Sequence, residues 1–78
     1  MEKHSVTVYS TQTCPYCVLA KKYLKSKGVE YKDVDVGVDQ AAAMEMVKKS
    51  GQMGVPVIDI DGKIVIGFRP EVLEGLLA

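Results

Sequence analysis

The 78-residue sequence carries no excess of charge, only two cysteines, one histidine and no long apolar run. Its ten basic and ten acidic residues cancel and are interspersed, so the sequence predicts no attraction to nucleic acid or to an anionic membrane surface. No apolar run approaches the length of a membrane-spanning helix. The N-terminus, MEKHSVTVYS, lacks the basic segment and the long apolar run of a signal peptide. We therefore expect a cytoplasmic protein.

The length leaves no room for a second domain or a long linker. At this size only about 60% of the unfolded chain's surface is buried on folding. A composition of 47% hydrophobic and 26% charged residues is nevertheless that of a globular protein rather than of a disordered one. We expect residues 1–78 to form one domain, without internal repeats, and to act as a monomer.

The two cysteines, Cys14 and Cys17, lie three positions apart. A disulfide between them would close a very short loop and would stabilise the fold little, so the pair is not a structural crosslink. Zinc structural sites need four ligands. His4, the only histidine, lies in the polar N-terminal segment, where we expect a surface residue with nothing arranged around it. Redox chemistry, a metal or iron–sulfur cluster shared by two chains, and two small buried hydrophobes remain as readings.

Periodicity predicts the order β-α-β-α-β-β-α. Val6 and Val8 alternate with polar residues up to Tyr9, whose hydroxyl we expect to face solvent, and a helix follows from Pro15 to a stop at Gly28. A second strand at 32–36 and a helix between Asp39 and Gly51 follow. Two strands, Val57 to Ile60 and Ile64 to Ile66, flank the hairpin signal Asp61-Gly62. The last element is a helix from Pro70 with the apolar stripe Val72, Leu73, Leu76 and Leu77.

Proline at the first helical position makes Cys14 the N-cap residue of the first helix. A thiolate there can accept hydrogen bonds from the amides of Tyr16 and Cys17 at the positive end of the helix dipole, and both features lower a thiol pKa. Cys17 follows one helical turn later, close enough to attack a mixed disulfide at Cys14. Because Cys17 shares a face with Ala20 and Leu24, we expect it to be the more buried thiol.

The motif Cys14-Pro15-Tyr16-Cys17 after the strand end VYS, together with Val55-Pro56 before a hairpin, resembles the glutaredoxins over essentially the whole chain. The resemblance implies a thioredoxin-like α/β fold with a four-stranded mixed sheet in the order 2-1-3-4 and three helices. It also implies a cis Val55-Pro56 bond, a Val55 backbone that pairs with an extended substrate or with glutathione, no tightly bound cofactor, and glutathione as a co-substrate.

Several positions depart from the glutathione-using pattern of that family. Thr11 stands where a basic residue is usual before the motif, and Met53 and Gly54 replace a basic residue and a threonine before the Val-Pro pair. Gln52 matches a family position that can contact glutathione, and Tyr16 is expected on the substrate surface.

The segment Gly67-Phe68-Arg69-Pro70-Glu71 resembles instead the NrdH-type redoxins, which thioredoxin reductase reduces and which donate electrons to ribonucleotide reductase. Arginine is a poor N-cap residue and its charge opposes the helix dipole, so Arg69 is either a binding residue or a solvated arginine paired with Glu71 or Glu74. Phe68 is either a core residue or a reductase contact.

The sequence thus predicts a thiol–disulfide oxidoreductase in which Cys14 is the nucleophile and Cys17 the resolving thiol. The expected substrates are protein disulfides or glutathione mixed disulfides, and the expected binding residues are Tyr16, Gln52, Val55, Pro56, Gly67, Phe68 and Arg69. The alternatives are an NrdH-type redoxin and, in another class, an iron–sulfur cluster carrier. The proline between the cysteines disfavours the cluster in the family that the chain resembles.

Overall fold

A computed structural model of the chain describes residues 4–77. Their order is β1 Val6–Ser10, α1 Pro15–Ser26, β2 Lys32–Asp35, α2 Gln40–Ser50, β3 Val57–Ile60, β4 Lys63–Ile66 and α3 Pro70–Leu77. The strands form one mixed sheet in the order β2-β1-β3-β4, in which β1 pairs parallel to β2 and antiparallel to β3, and β3 pairs antiparallel to β4. The predicted thioredoxin-like topology is confirmed. The predicted domain also includes residues 1–3 and 78, which lie outside the described residues.

The sheet separates two apolar cores because successive strand residues point to opposite faces. On one face, Val8 and Ile58 pack with Leu24 of α1 and Leu73 of α3, all of them fully buried. On the other face, Tyr9 and Val57 pack against Met46 of α2. Helices therefore cover both faces of the sheet, and the chain leaves β1 for α1 at the sheet end where the cysteines lie.

The helix boundaries follow from the capping residues that the sequence contains. Asp39 Oδ1 accepts a hydrogen bond from the Ala42 amide over 3.0 Å at the start of α2, and Gly51 ends that helix with a positive φ of 75°. Helix α1 ends at Ser26, with Gly28 in the left-handed region shortly after. These predicted start and stop signals are confirmed.

The turn between β3 and β4 uses both residues of the predicted Asp61-Gly62 pair. Asp61 has a φ of 53° and Gly62 a φ of 89°, and positive φ at both central residues is the requirement of a type I′ hairpin turn. The predicted antiparallel hairpin is confirmed, and β4 begins one residue earlier than predicted, at Lys63.

Three local expectations were wrong because distant residues decide the environment. The hydroxyl of Tyr9 does not face solvent, since the ring is buried and its oxygen accepts a hydrogen bond from Lys49 Nζ over 3.0 Å. His4 contacts Asp61 at 2.6 Å rather than standing alone on the surface. Within the predicted stripe of α3, Leu73 is buried but Val72 is 37% exposed, because it turns toward the open side of β4.

None of the helices within residues 4–77 combines the length and the apolar character that crossing a bilayer requires.

Candidate active site

Cys14 is the N-cap residue of α1. Its backbone is extended, with φ −97° and ψ 110°, and Pro15 begins the helix because its fixed φ and its missing N–H suit the first position. The Cys17 amide donates a hydrogen bond to Cys14 Sγ over 3.2 Å. The Tyr16 amide, the other donor that the sequence pointed to, makes no such bond to this sulfur. The cap thus holds a sulfur atom as a hydrogen-bond acceptor at the positive end of the helix dipole.

A second segment, Val55-Pro56, lies against this sulfur. Cys14 Sγ is 3.9 Å from the carbonyl oxygen of Val55, although 41 positions separate the two residues. The Val55-Pro56 bond is cis, as the resemblance to the glutaredoxins implies. Cys14 is half-buried, so its sulfur is in contact with this loop and remains accessible in part.

A third segment joins the site through the backbone. The Gly67 amide donates to the Pro56 carbonyl oxygen over 2.8 Å, so the segment after β4 is fixed to the loop that faces Cys14. Gly67 has a φ of 83°, a left-handed conformation that glycine adopts without a steric cost. The structure therefore brings Cys14, Val55, Pro56 and Gly67 together at one end of the sheet.

Cys17 is fully buried beneath Cys14, and neither cysteine is part of a disulfide. Burial raises the pKa of the Cys17 thiol from its ordinary value of 9.0 to about 11, and the hydrogen bond with Cys14 adds to this increase. A backbone hydrogen bond with Thr11 and the charge of Lys21 oppose it. Cys17 is consequently a protonated thiol at neutral pH, and the two cysteines are chemically unequal.

The other predicted binding residues differ in what they can offer a ligand. Tyr16 is 62% exposed beside Cys14. Phe68 instead packs into the core, with its ring 6.0 Å from that of Tyr23 in an edge-to-face arrangement, so the core reading of this residue is the one its packing supports. Arg69 is exposed at the start of α3, and no carboxylate among residues 4–77 forms an ion pair with it.

Gln52 turns its side chain onto its own loop. Its Nε2 donates to the Gly54 carbonyl oxygen over 2.8 Å, and the Gly54 amide donates to its Oε1 over 2.7 Å. The carboxamide that the sequence offered to glutathione is therefore engaged within the protein. Gly54 is the residue that sequence reasoning missed as a partner, and its only signal was that a glycine replaces the family's threonine there.

The glutaredoxin family model matches residues 6–65, which include both cysteines and the Val55-Pro56 loop. The chain belongs to the glutaredoxin family. That family consists of thiol–disulfide oxidoreductases, and the chemistry of this glutaredoxin-like chain accordingly concerns a thiol–disulfide couple.

Two relatives and one solved structure extend over most of this glutaredoxin. A glutaredoxin-like 8.6 kDa protein of the rubredoxin operon of Clostridium pasteurianum is 46% identical over 72 residues, which cover 92% of this chain and 96% of the relative. Glutaredoxin 3 of Escherichia coli K12 is 41% identical over 63 residues, or 81% of this chain and 76% of the relative. The crystal structure of the thioredoxin-like protein BC3987 superposes with a TM-score of 0.87 at 36% identity, and the match covers 92% of this chain and 99% of that one.

The NrdH-redoxin of Escherichia coli has the same fold. Its structure superposes with a TM-score of 0.81 at 24% identity, and the match covers 92% of this chain and 93% of that one. At this identity the likeness concerns the fold alone. The choice between glutathione and a protein electron donor thus depends on the residues of the site itself.

Metal ligands are not grouped near the glutaredoxin motif in the described part of the chain. Among residues 4–77, no three His, Cys, Asp or Glu side chains lie close enough together to hold a metal ion.

The raised pKa of Cys17 predicts a loss of stability at alkaline pH. The unfolded chain releases the Cys17 proton near pH 9.0, whereas the folded chain holds it to about pH 11. The protonated Cys17 thiol contributes to the free energy of unfolding, and this contribution is fully present below pH 9. It is lost as the pH rises through 11, because between these values the unfolded state binds fewer protons than the folded state. The difference of about two pH units corresponds to roughly 3 kcal/mol.

Urea unfolding of the reduced protein below pH 9 and near pH 11 measures this loss. Lysines and tyrosines titrate in the same range, so the control is the Cys17→Ala variant, which keeps those groups and lacks the buried thiol. We expect the wild-type free energy of unfolding to fall more steeply than that of Cys17→Ala. Equal slopes for the two proteins would show that burial does not hold the Cys17 proton.

Proposed function

We propose that this chain is a dithiol oxidoreductase in which Cys14 attacks and Cys17 resolves. In the first step the Cys14 thiolate attacks one sulfur of a substrate disulfide. A bond forms between Cys14 Sγ and that sulfur, the substrate S–S bond breaks, and the other substrate sulfur leaves as a thiolate that takes up a proton. The product of this step is a mixed disulfide on Cys14.

In the second step Cys17 loses its proton and attacks Cys14 Sγ. The Cys14–Cys17 disulfide forms, the mixed disulfide breaks, and the second substrate sulfur leaves as a thiol. The substrate has then gained two electrons from the protein and two protons, one from Cys17 and one from the solvent. An external two-electron donor restores the dithiol.

The hydrogen bond from the Cys17 amide to Cys14 Sγ is the observation that supports this assignment most directly. N–H donors and helix N-termini favour the thiolate form of a cysteine, which is the nucleophile. The bond comes from the backbone of Cys17, so it persists when the Cys17 side chain is replaced. The burial of Cys17 and the partial exposure of Cys14 agree with the order of the two steps.

Disulfides in proteins are the substrates that this site suits best, and thioredoxin reductase is the donor that we propose. The Gln52 carboxamide is already hydrogen-bonded to Gly54. Thr11 and Met53 stand where the glutathione-using pattern has cationic residues. Charge-assisted contacts to the carboxylates of glutathione are correspondingly reduced. Ribonucleotide reductase is a candidate acceptor within this NrdH-like reading, and glutathione mixed disulfides are the alternative substrate.

Turnover with each donor tests this proposal. We expect NADPH oxidation with thioredoxin reductase to exceed that with glutathione plus glutathione reductase by at least about tenfold, because one lost hydrogen bond to a charged group costs about 1.5–3 kcal/mol. Both arms use the same protein disulfide, and each is corrected for the rate without this chain. Turnover only with glutathione would show that the motif suffices for a glutathione-dependent glutaredoxin and that the NrdH-like reading is wrong.

A further inference from the structure

Gln52, Gly54 and Ser50 form a hydrogen-bonded chain that leads from the end of α2 to the loop that faces Cys14. Ser50 Oγ lies 2.7 Å from the Met46 carbonyl oxygen inside the helix and 2.9 Å from the Gln52 carbonyl oxygen beyond it. The Gln52 side chain then contacts Gly54 through both of its polar atoms. Val55, which follows Gly54, places its carbonyl oxygen 3.9 Å from Cys14 Sγ.

The two contacts between Gln52 and Gly54 fix the orientation of the Gln52 carboxamide as well as its position. The carboxamide donates through Nε2 and accepts through Oε1, and Gly54 accepts through its carbonyl and donates through its amide. A rotation of the carboxamide by half a turn would place donor against donor and acceptor against acceptor. The peptide groups on both sides of Gly54 are therefore held in one orientation. The Gln52 side chain bonds one N–H and one C=O of the loop, as the backbone of a neighbouring strand would.

We propose that Gln52 is a positioning residue that holds the Gly54-Val55 backbone in the orientation in which Val55 receives an extended protein substrate beside Cys14. This inference rests on the proposed function. In this role Gln52 acts through Gly54. Its side chain therefore assists the binding of substrates that contain no glutathione as well as of those that do.

Glycine at position 54 is a requirement of this arrangement. A Cβ atom on Gly54 would lie 2.7 Å from Gln52 Oε1, too close for the two atoms to coexist. The backbone of Gly54 is not among those with positive φ, so alanine is compatible with its conformation and acts by displacing the Gln52 side chain. Substitutions at positions 52 and 54 consequently disrupt the same contact, each by changing one of its two partners.

Four variants test the proposal. Gln52→Met keeps the length of the side chain and removes both contacts, and Gln52→Glu keeps an acceptor for the Gly54 amide but cannot donate to the Gly54 carbonyl. Gly54→Ala breaks the contact from the other side. Gly75→Ala is the matched control, because a Cβ there meets no atom within 4 Å.

We expect KM for a glutathione-free protein disulfide to rise about threefold to tenfold in Gln52→Met and Gly54→Ala, since a hydrogen bond between neutral groups contributes modestly. The fall in kcat should be smaller than the rise in KM. Gln52→Glu should show a rise comparable to that of Gln52→Met, because its carboxylate sets an acceptor against the Gly54 carbonyl oxygen. Gly75→Ala should show no rise. The double variant of Gln52→Met and Gly54→Ala should resemble either single variant, because both remove one shared contact. The amide of Gly54 should also exchange its hydrogen faster in Gln52→Met than in the wild type.

Other results would overturn the proposal. A rise in KM confined to glutathione-containing disulfides would make Gln52 a direct glutathione ligand, and additive effects in the double variant would show that the two residues act separately. Unchanged KM in all variants, or a fall in kcat that parallels lost stability, would leave Gln52 a structural residue. Failure of the proposed function itself is distinguishable, because the wild-type protein would then show no turnover while the Gly54 amide would still respond to Gln52→Met.

Discussion

Replacement of Cys14 by serine should reduce disulfide reduction to the background rate, a loss of more than about a thousandfold, as expected when a reaction loses its covalent nucleophile. A serine hydroxyl is not ionised near neutral pH and does not form a mixed disulfide. Serine is at the same time one of the preferred N-cap residues, so Cys14→Ser can still accept the hydrogen bond that the Cys17 amide donates to Cys14 Sγ. The variant therefore removes the reactive atom and keeps the local structure.

The measurement is NADPH-coupled reduction of a protein disulfide with whichever donor turns over the wild-type protein, together with thermal unfolding of each variant. Cys14→Ala is the matched control, because alanine removes both the thiol and the cap and should cost about 1 kcal/mol of stability. We expect both variants to be inactive and only Cys14→Ala to be clearly less stable. Full activity in Cys14→Ser would contradict the assignment of Cys14 as the nucleophile.

Much of the fold could be predicted because its signals are local in the sequence. The alternation of Val6 and Val8 with polar residues assigns a strand and its buried face, and Asp39 and Gly51 mark the two ends of one helix. The Asp61-Gly62 pair specifies a hairpin turn by its backbone conformation alone. In each case the residue type decides the structure within a few positions, so the necessary information lies in a short stretch of sequence.

The environments that were predicted wrongly depend on residues far away in the chain. Tyr9 is the last residue but one of β1, and nothing near it in sequence shows that Lys49, 40 positions later, donates to its hydroxyl. Lys49 also contacts Asp59 at 2.9 Å and Glu45 at 3.2 Å, and the contacts to Tyr9 and Asp59 raise its pKa above the ordinary value. His4 likewise meets Asp61 only because β1 and β3 are neighbours.

The candidate site likewise has a part that the local sequence predicts and a part that depends on distant residues. The spacing of Cys14 and Cys17 predicts their place at the start of a helix, because an N-cap and the third helical residue are neighbours in any helix that begins at Pro15. The approach of Val55 to Cys14 was expected only from the resemblance to the glutaredoxins. The contact between Gln52 and Gly54 was not predicted, since its only signal in the sequence is that a glycine stands at position 54, where the family pattern has a threonine.

Replacement of Cys17 by serine should convert the mixed disulfide on Cys14 from a transient intermediate into a stable product. In the proposed mechanism the Cys17 amide assists attack by Cys14, and Cys17→Ser retains this amide. Release of the substrate in that mechanism needs the Cys17 sulfur, which the variant lacks. A protein disulfide offered to Cys17→Ser should therefore remain bound through a mixed disulfide on Cys14. Mass spectrometry without reductant detects it as one substrate chain per protein, and addition of dithiothreitol should release it.

The same variant separates the two classes of substrate. Free glutathione can take the place of the resolving thiol when the mixed disulfide on Cys14 carries glutathione, so Cys17→Ser keeps activity on glutathione mixed disulfides if the chain binds that tripeptide well. Cys17→Ala controls for the burial of a hydroxyl at a fully buried position, which costs about 1–3 kcal/mol when the hydroxyl is unpaired. We expect both variants to trap the protein substrate and to turn over glutathione mixed disulfides poorly, because Gln52 is engaged with Gly54. Wild-type turnover of protein disulfides by Cys17→Ser, with no trapped adduct, would require a resolving thiol other than Cys17.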